Sequence, residues 1–290
     1  MSQSITNAFV QQFNRNIHVL SQQMGSKLRG LMRTTDVNAK KAFFDVLAPT
    51  EMQQKTSRHQ SAPLVESVHS RRSVDMTDWG WGDIVDNEDK IRMLISPESE
   101  IARNAVMSAG RKIDALVVAA FIAAADEGQF GGTPIVFPAS HTIASGAAGL
   151  SVSRVREMKR RLDSADVPDE GRVWVISAQA LEDLLEQTEA TSSDYANVKA
   201  LVHGEIDTFL GFKFVRLSDS ILPIDGSLDR STFIFQQRMM GIALGQDIKT
   251  EMKRRPDLWG TPLNIEVTLT GGAVRIEDAG VYRVLVREEA

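Results

Sequence analysis

Ile101, Ala105, Ala109, Ile113, Val117, Ala120 and Ala124 recur at helical spacing along the stretch from Ser96 to Glu127. They predict one long helix with a single apolar stripe. Ser96 offers a capping hydroxyl, and Pro97 suits the first helical position, where its missing N–H costs nothing. Glu98 and Glu100 put negative charge at the positive end of the helix dipole. Glu100, Arg103, Asn104, Arg111 and Asp114 fall off the stripe, and Gly128 supplies a C-terminal stop. Such a helix would run on the order of 45 Å, against about three turns for a typical globular helix. A core helix of an ordinary domain is the competing interpretation.

The segments before it are less self-sufficient. Ile5, Phe9, Phe13, Ile17 and Leu20 form a helical stripe flanked by Asn and Gln, with few nearby apolar residues to pack against. Phe43, Phe44, Val46 and Leu47 then lead into Pro49. Residues 50–78 are polar and too poor in large apolar side chains to build a core of their own. The weak alternation Leu64, Glu66, Val68, Ser70 suggests an extended hairpin arm, with a disordered insertion as the alternative. Trp79 and Trp81 follow closely and suggest an anchor against protein surface.

After the helix, residues 129–149 are rich in Gly, Pro and Ser and read as loops and short strands. From Leu150 the pattern becomes α/β. Ser151–Asp163 predicts a basic amphipathic helix with Val152, Val155, Met158 and Leu162 on one face. Val173–Ile176 predicts a buried strand, and Ser177 a cap for the helix through Leu181, Leu184 and Leu185. A second helical stretch surrounds Val198, Leu201 and Val202, and Phe209–Val215 predicts a strand with a Gly-marked bend at Gly211. Ser231–Phe235 predicts another strand, followed by a short element ending at Leu244. Residues 247–286 alternate in β fashion, with a turn at Arg255-Pro256-Asp257.

Composition narrows the classes. The chain has 290 residues, 42% of them hydrophobic, enough for one large domain or two modest ones. The net charge of −5 argues against a general nucleic-acid binder. It is uneven: residues 1–45 carry a net +4, which leaves −9 for the remainder. With no cysteine there is no disulfide framework, no thiolate metal site and no Cys nucleophile. The N-terminus lacks the charged-then-apolar pattern of a signal peptide, and the longest apolar run, Ala115–Ala125, is too short to span a bilayer. A soluble protein in a reducing compartment, with no membrane partner, is expected.

Catalytic motifs are missing. His18, His59, His69, His141 and His203 show no metal-ligand spacing. No Gly-x-Ser-x-Gly elbow is present, and Gly131-Gly132-Thr133 lacks the ending of a phosphate loop. Asp163 and Asp166 read as solvated charge at a helix end. The basic helix with Arg154, Arg156, Lys159, Arg160 and Arg161 could read DNA, but Glu157 and Asp163 dilute it and no partner helix precedes it. A solvated helix face is the preferred interpretation, so no enzyme, no cofactor and no metal are expected. What remains is architecture with projecting arms, and arms that cannot bury themselves call for assembly.

The order of these parts resembles the major capsid protein of tailed bacteriophages, a fold shared with encapsulin shells. SVSRVREMKRRLDSADVPDEGRVWVISAQALEDLL resembles the helix–loop–strand–helix opening of that family's axial domain. GEIDTFLGFKFVRL resembles its later strand pair, and GGAVRIEDAGVYRVLV its closing peripheral strands. The resemblance implies an α+β fold: an N-terminal arm (1–48), an extended β-hairpin loop with a flanking strand (49–95), a spine helix (96–130), an axial α/β domain (131–245) and peripheral β-strands (246–290). It implies a homo-oligomer of pentamers and hexamers forming an icosahedral shell in the virion, assembled in the host cytoplasm and enclosing double-stranded DNA. A separate scaffolding protein, a portal and a decoration protein are the implied partners, with packaged DNA touched non-specifically. An encapsulin-type compartment shell is the alternative. In this frame Arg58, Arg71, Arg72, Asp75, Asp78, Trp79 and Trp81 are the candidate subunit-interface residues. One lysine, Lys55, near the base of the arm gives little basis for a covalent cross-link.

Overall fold

The computed structural model describes residues 22–62, 64–86, 98–186, 208–225 and 228–288. The helical stripe expected over 5–20, the cap at Ser96 and Pro97, and the helical stretch around Val198 lie outside the described residues. The chain divides into two compact units, Met1–Ser26, Asp78–Arg111 and Gln246–Thr270 against Lys27–Thr77, Lys112–Gly245 and Gly271–Ala290.

In chain order the elements are β1 (Arg33–Asp36), β2 (Lys41–Leu47), β3 (His69–Asp75), β4 (Thr77–Val85), α1 (Glu98–Ile122), β5 (Ala125–Glu127), β6 (Thr133–Ile135) and β7 (Thr142–Ile143). Then come α2 (Val152–Ser164), β8 (Arg172–Ile176), α3 (Ala178–Glu186), β9 (Thr208–Phe209), β10 (Phe212–Arg216), β11 (Asp229–Gln236), β12 (Met240–Arg254), β13 (Leu263–Arg275) and β14 (Val281–Arg287).

The larger unit is built on a six-stranded sheet of order β7-β14-β11-β8-β10-β9. β8 lies inside it, parallel to β10 and antiparallel to β11, and all five of its residues are buried. A strand buried on both faces needs apolar residues at every position, which is why Val173–Ile176 is legible as a continuous run. Trp174 satisfies its one polar atom by donating from Nε1 to Thr232 Oγ1 at 3.1 Å. Its ring meets Phe212 edge-on at 5.5 Å and stacks on Phe214 at 5.7 Å. The helix expected over Ser151–Asp163 forms as α2, and the four buried side chains are Val152, Val155, Met158 and Leu162, as expected. Ser151 Oγ accepts from the Arg154 backbone N–H at 3.3 Å, and Ser177 Oγ accepts from that of Ala180 at 3.1 Å. The bend at Gly211 is a two-residue hairpin between β9 and β10: Leu210 and Gly211 both take positive φ, 51° and 89°, the geometry of a tight hairpin turn.

A second sheet of this unit, β2-β3-β5-β6, packs Ala42, Phe44, Val74 and Ala125 with Ala243, Val274 and Ile276. β2 and β3 form an antiparallel pair from Lys41↔Asp75 to Leu47↔His69. The remaining sheet has the order β1-β12-β13-β4.

Two expectations are corrected. The long helix ends at Ile122, not near Gly128, and Ala125–Glu127 becomes a strand against β3. The cause is far away in sequence: the buried Arg275 donates from Nη1 to the carbonyls of Phe121 (2.8 Å) and Ala123 (2.9 Å), satisfying the helix's last acceptors with a cation. Next, β12 is a single strand of 15 residues that runs past Leu244, where the sequence predicts a short element to end, and β13 is a single strand of 13 residues. A Cβ on Gly272 would lie 2.5 Å from the Asp75 carbonyl oxygen, so that glycine marks a close backbone approach and no turn. The closing segment is shared between sheets: β12 and β13 lie in one, while β14 pairs with β11 in the six-stranded sheet.

Asp114, expected on the polar side of the helix, is fully buried. Its two oxygens accept from the backbone N–H groups of Lys27 (3.0 Å) and Leu28 (3.1 Å), so the carboxylate holds the incoming chain against α1. In the smaller unit the preceding residues pack equally close: a Cβ on Gly110 would lie 2.5 Å from the Gly25 carbonyl carbon.

Candidate subunit-contact surfaces

The hairpin of β2 and β3 alternates its side chains between two faces. Phe44 and Arg72, opposite one another, point to the buried side. Asp45 and Arg71, also opposite, point outward and pair at 2.9 Å, with the Arg71 guanidinium over the Phe43 ring at 5.4 Å. Lys41 and Asp75 pair at 3.3 Å at the hairpin's base. Such directly opposed charges contribute a few tenths to about 1 kcal/mol each.

Adjacent arginines thus have different roles. Arg72 is turned inward, donating to the Ala125 carbonyl and to Asp278 at 3.3 Å each, with Glu127 at 3.9 Å. Arg71 and Asp75 sit at the surface with partners in their own chain. Asp78 accepts from Thr270 Oγ1 at 2.7 Å. Trp79, 39% exposed, and Trp81, half-buried, lie on β4, which forms one edge of its sheet. Arg58 lies in the connection between β2 and β3, where Thr56 donates through N–H (2.8 Å) and Oγ1 (2.9 Å) to Gln60 Oε1. The structure brings the hairpin charges together in pairs, but not as one cluster.

That connection, residues 48–68, is closed at its base by the Ala48 N–H donating to the Val68 carbonyl at 3.0 Å. Met52 is 100% and Leu64 98% exposed within it. A third exposed apolar group sits on the turn between β12 and β13, where Trp259 is 96% exposed. This turn is well built. Arg255 and Asp257 form a two-pronged ion pair, Nε to Oδ1 at 2.8 Å and Nη2 to Oδ2 at 2.6 Å. The Arg255 N–H donates to the Pro262 carbonyl at 2.9 Å, and Thr261 is held at φ 47° beside Gly260 at 79°. The hydrogen bond from Arg255 holds the Asp257 carboxyl down at about 2. On β12, Glu251 lies between Lys249 and Lys253, whose hydrogen bonds also lower it to about 2.

Met52, Leu64 and Trp259 were not among the candidates, which followed charges and the Trp79/Trp81 pair. A tryptophan two residues after a Pro-Asp turn, with no apolar neighbours at strand spacing, was the available signal. Among the described residues no group of three or more His, Asp or Glu side chains is arranged to hold a metal ion, and no helix is long and apolar enough to cross a membrane.

The model for the family described as phage capsid protein matches residues 5–288. The chain belongs to the phage capsid protein family. Solved capsids share the fold across their whole length. The capsid of cyanophage P-SCSP1u aligns with a TM-score of 0.75 at 12% identity, covering 100% of this chain and 96% of its own. That of Ralstonia phage GP4 aligns at 0.75 and 9% identity, covering 97% and 96%. Mycobacterium phage Che8 aligns at 0.69 and 16%, covering 95% and 97%. Sequence comparison with curated proteins gave no match. Membership makes this capsid chain a structural protein and not an enzyme, and it disfavours the encapsulin-type compartment.

Proposed function

We propose that this capsid protein is the major shell subunit of a tailed phage, assembling as pentamers and hexamers into an icosahedral shell around double-stranded DNA. The observation that supports this reading best is the display of apolar side chains on ordered or tethered loops: Met52 and Leu64 on the arm and Trp259 on its turn. Side chains this exposed lower the free energy only once a neighbour covers them, and full burial of one is worth about 1.5–3 kcal/mol. Repetition in a closed shell multiplies modest contacts. Arg58, Arg71, Asp75, Asp78, Trp79 and Trp81 remain candidate seam residues, and Arg72 would act there by holding the hairpin's base.

In this reading residues 1–48 are the N-terminal arm, 49–95 the extended loop and flanking strand, 96–130 the spine, 131–245 the axial domain and 246–290 the peripheral strands. β14 would tie that last segment into the axial sheet. A separate scaffolding protein, a portal and a decoration protein are the expected partners, and assembly takes place in the host cytoplasm. The test is electron microscopy of the full chain expressed alone and with a co-expressed scaffolding protein. Closed particles with five- and six-fold clusters are expected; a monomer at every concentration, with or without scaffold, would overturn the proposal.

A further inference from the structure

Helix α2 carries Arg154, Arg156, Lys159, Arg160 and Arg161, with Glu157 and Asp163 among them. From sequence alone the two acids cancel much of this charge. The structure shows where each acid is engaged. Glu157 accepts from Arg161 at 2.9 and 3.1 Å, a pair one turn apart. Asp163 accepts at 2.7 Å from Arg172, whose guanidinium is buried. Arg154 is taken up by the carbonyls of Ala144 (2.6 Å) and Ser145 (3.1 Å). Arg156, Lys159 and Arg160 line an open groove of about 420 Å³, with Asp163, Ser164 and Leu210. Lys159 and Arg160 have no ion-pair partner among the described residues.

We propose that this groove binds the phosphodiester backbone of nucleic acid, a role that rests on the shell reading above. Its chemistry fits phosphate: the Lys159 ammonium and the Arg160 guanidinium lie side by side in it, and the groove's one acid is already engaged by Arg172. It does not fit base recognition, because its lining has no aromatic ring and no amide to read or stack a base. Two phosphate contacts per copy give weak, sequence-independent binding, and the contacts become effective when many copies face one polymer. The net acidic charge of the chain and a localised basic groove are therefore compatible: the body repels the polymer and the groove touches it.

The test uses the full-length chain and a short fluorescent duplex, titrated between about 50 and about 200 mM salt. Shell formation is scored on the same preparations by electron microscopy. The wild-type chain is expected to bind with a salt-dependent affinity, and K159Q/R160Q to flatten the plot of log affinity against log salt by about 2 units. The charge-preserving R156K/K159R/R160K is expected to keep the wild-type slope. An unchanged slope in K159Q/R160Q would overturn the proposal and place DNA contact elsewhere on the chain. So would loss of particles with DNA binding intact, which would make the groove a protein contact, or failure of the wild type to bind duplex at low salt. If no particles form but the slope changes as expected, the shell reading fails while the groove assignment stands.

Discussion

Arg275 and Arg255 each pair with an aspartate close by in sequence, Asp278 and Asp257, yet they do opposite work. Arg275 is fully buried, and besides Asp278 it binds the carbonyls of Phe121, Ala123 and Ile135 and lies 5.0 Å over the Phe137 ring. It joins a helix end, a short strand and a loop, three pieces whose polar backbone groups would otherwise be unsatisfied. Arg255 is at the surface, and its pair with Asp257 organises only the turn that displays Trp259. The same ion pair is a keystone where water is absent and a brace where water is present. Burial, more than residue type, sets what the pair is worth.

The largest expected effect follows from removing the keystone. R275A leaves three backbone carbonyls without their cation and Asp278 with Arg72 alone, and is expected to lower subunit stability by about 3–5 kcal/mol, measured by urea unfolding. R255A in the same assay is expected to leave the unfolding midpoint close to that of the wild type. Equal costs for the two would erase the distinction.

Next is Trp259. W259A is expected to leave subunit unfolding within about 0.5 kcal/mol and to raise the critical concentration for particle formation about tenfold or more, the behaviour of an exposed aromatic that becomes buried in a contact. Light scattering against protein concentration measures it, and an unchanged threshold would leave the display turn without an assembly role. K159Q/R160Q, by contrast, should form particles at the wild-type threshold.

The smallest effect concerns pH. Asp257 is held below its ordinary value by Arg255, so the brace is complete above about pH 4 and is lost as pH falls through about 2. NMR titration should give Asp257 a midpoint near 2, and R255Q should move it back toward about 3.9. A midpoint that ignores the substitution would mean that the ion pair seen here does not hold in solution.

The parts of the fold with local causes were legible in the sequence. α2 and β8 depend on their own periodicity, and the burial of Val152, Val155, Met158 and Leu162 follows it residue for residue. Parts with distant causes were hidden. Nothing near Ile122 announces that Arg275 will satisfy the helix's final carbonyls. Asp114 reads as a polar surface residue because its partners are backbone N–H groups, which every residue but proline carries and which leave no mark on sequence. Nothing in the sequence around Gly272 shows the strand that crowds it. At the surface, Arg71 and Arg72 are indistinguishable by type, and only their alternation along β3 turns one outward and one inward. Charge drew attention to the arm's arginines, whereas Trp259 stood in a turn, where apolar residues are easily passed over.

The clasp between Ala48 and Val68 gives the arm a length scale. A strand of polymer leaving at one of these residues and returning at the other can extend at most about 33 Å if it spends ten residues outbound and ten inbound. That span is comparable to the width of a small domain. On the shell reading proposed above, a tile with such a tether would grip beyond its immediate border, and prising one copy from a finished wall would mean undoing several seams at once.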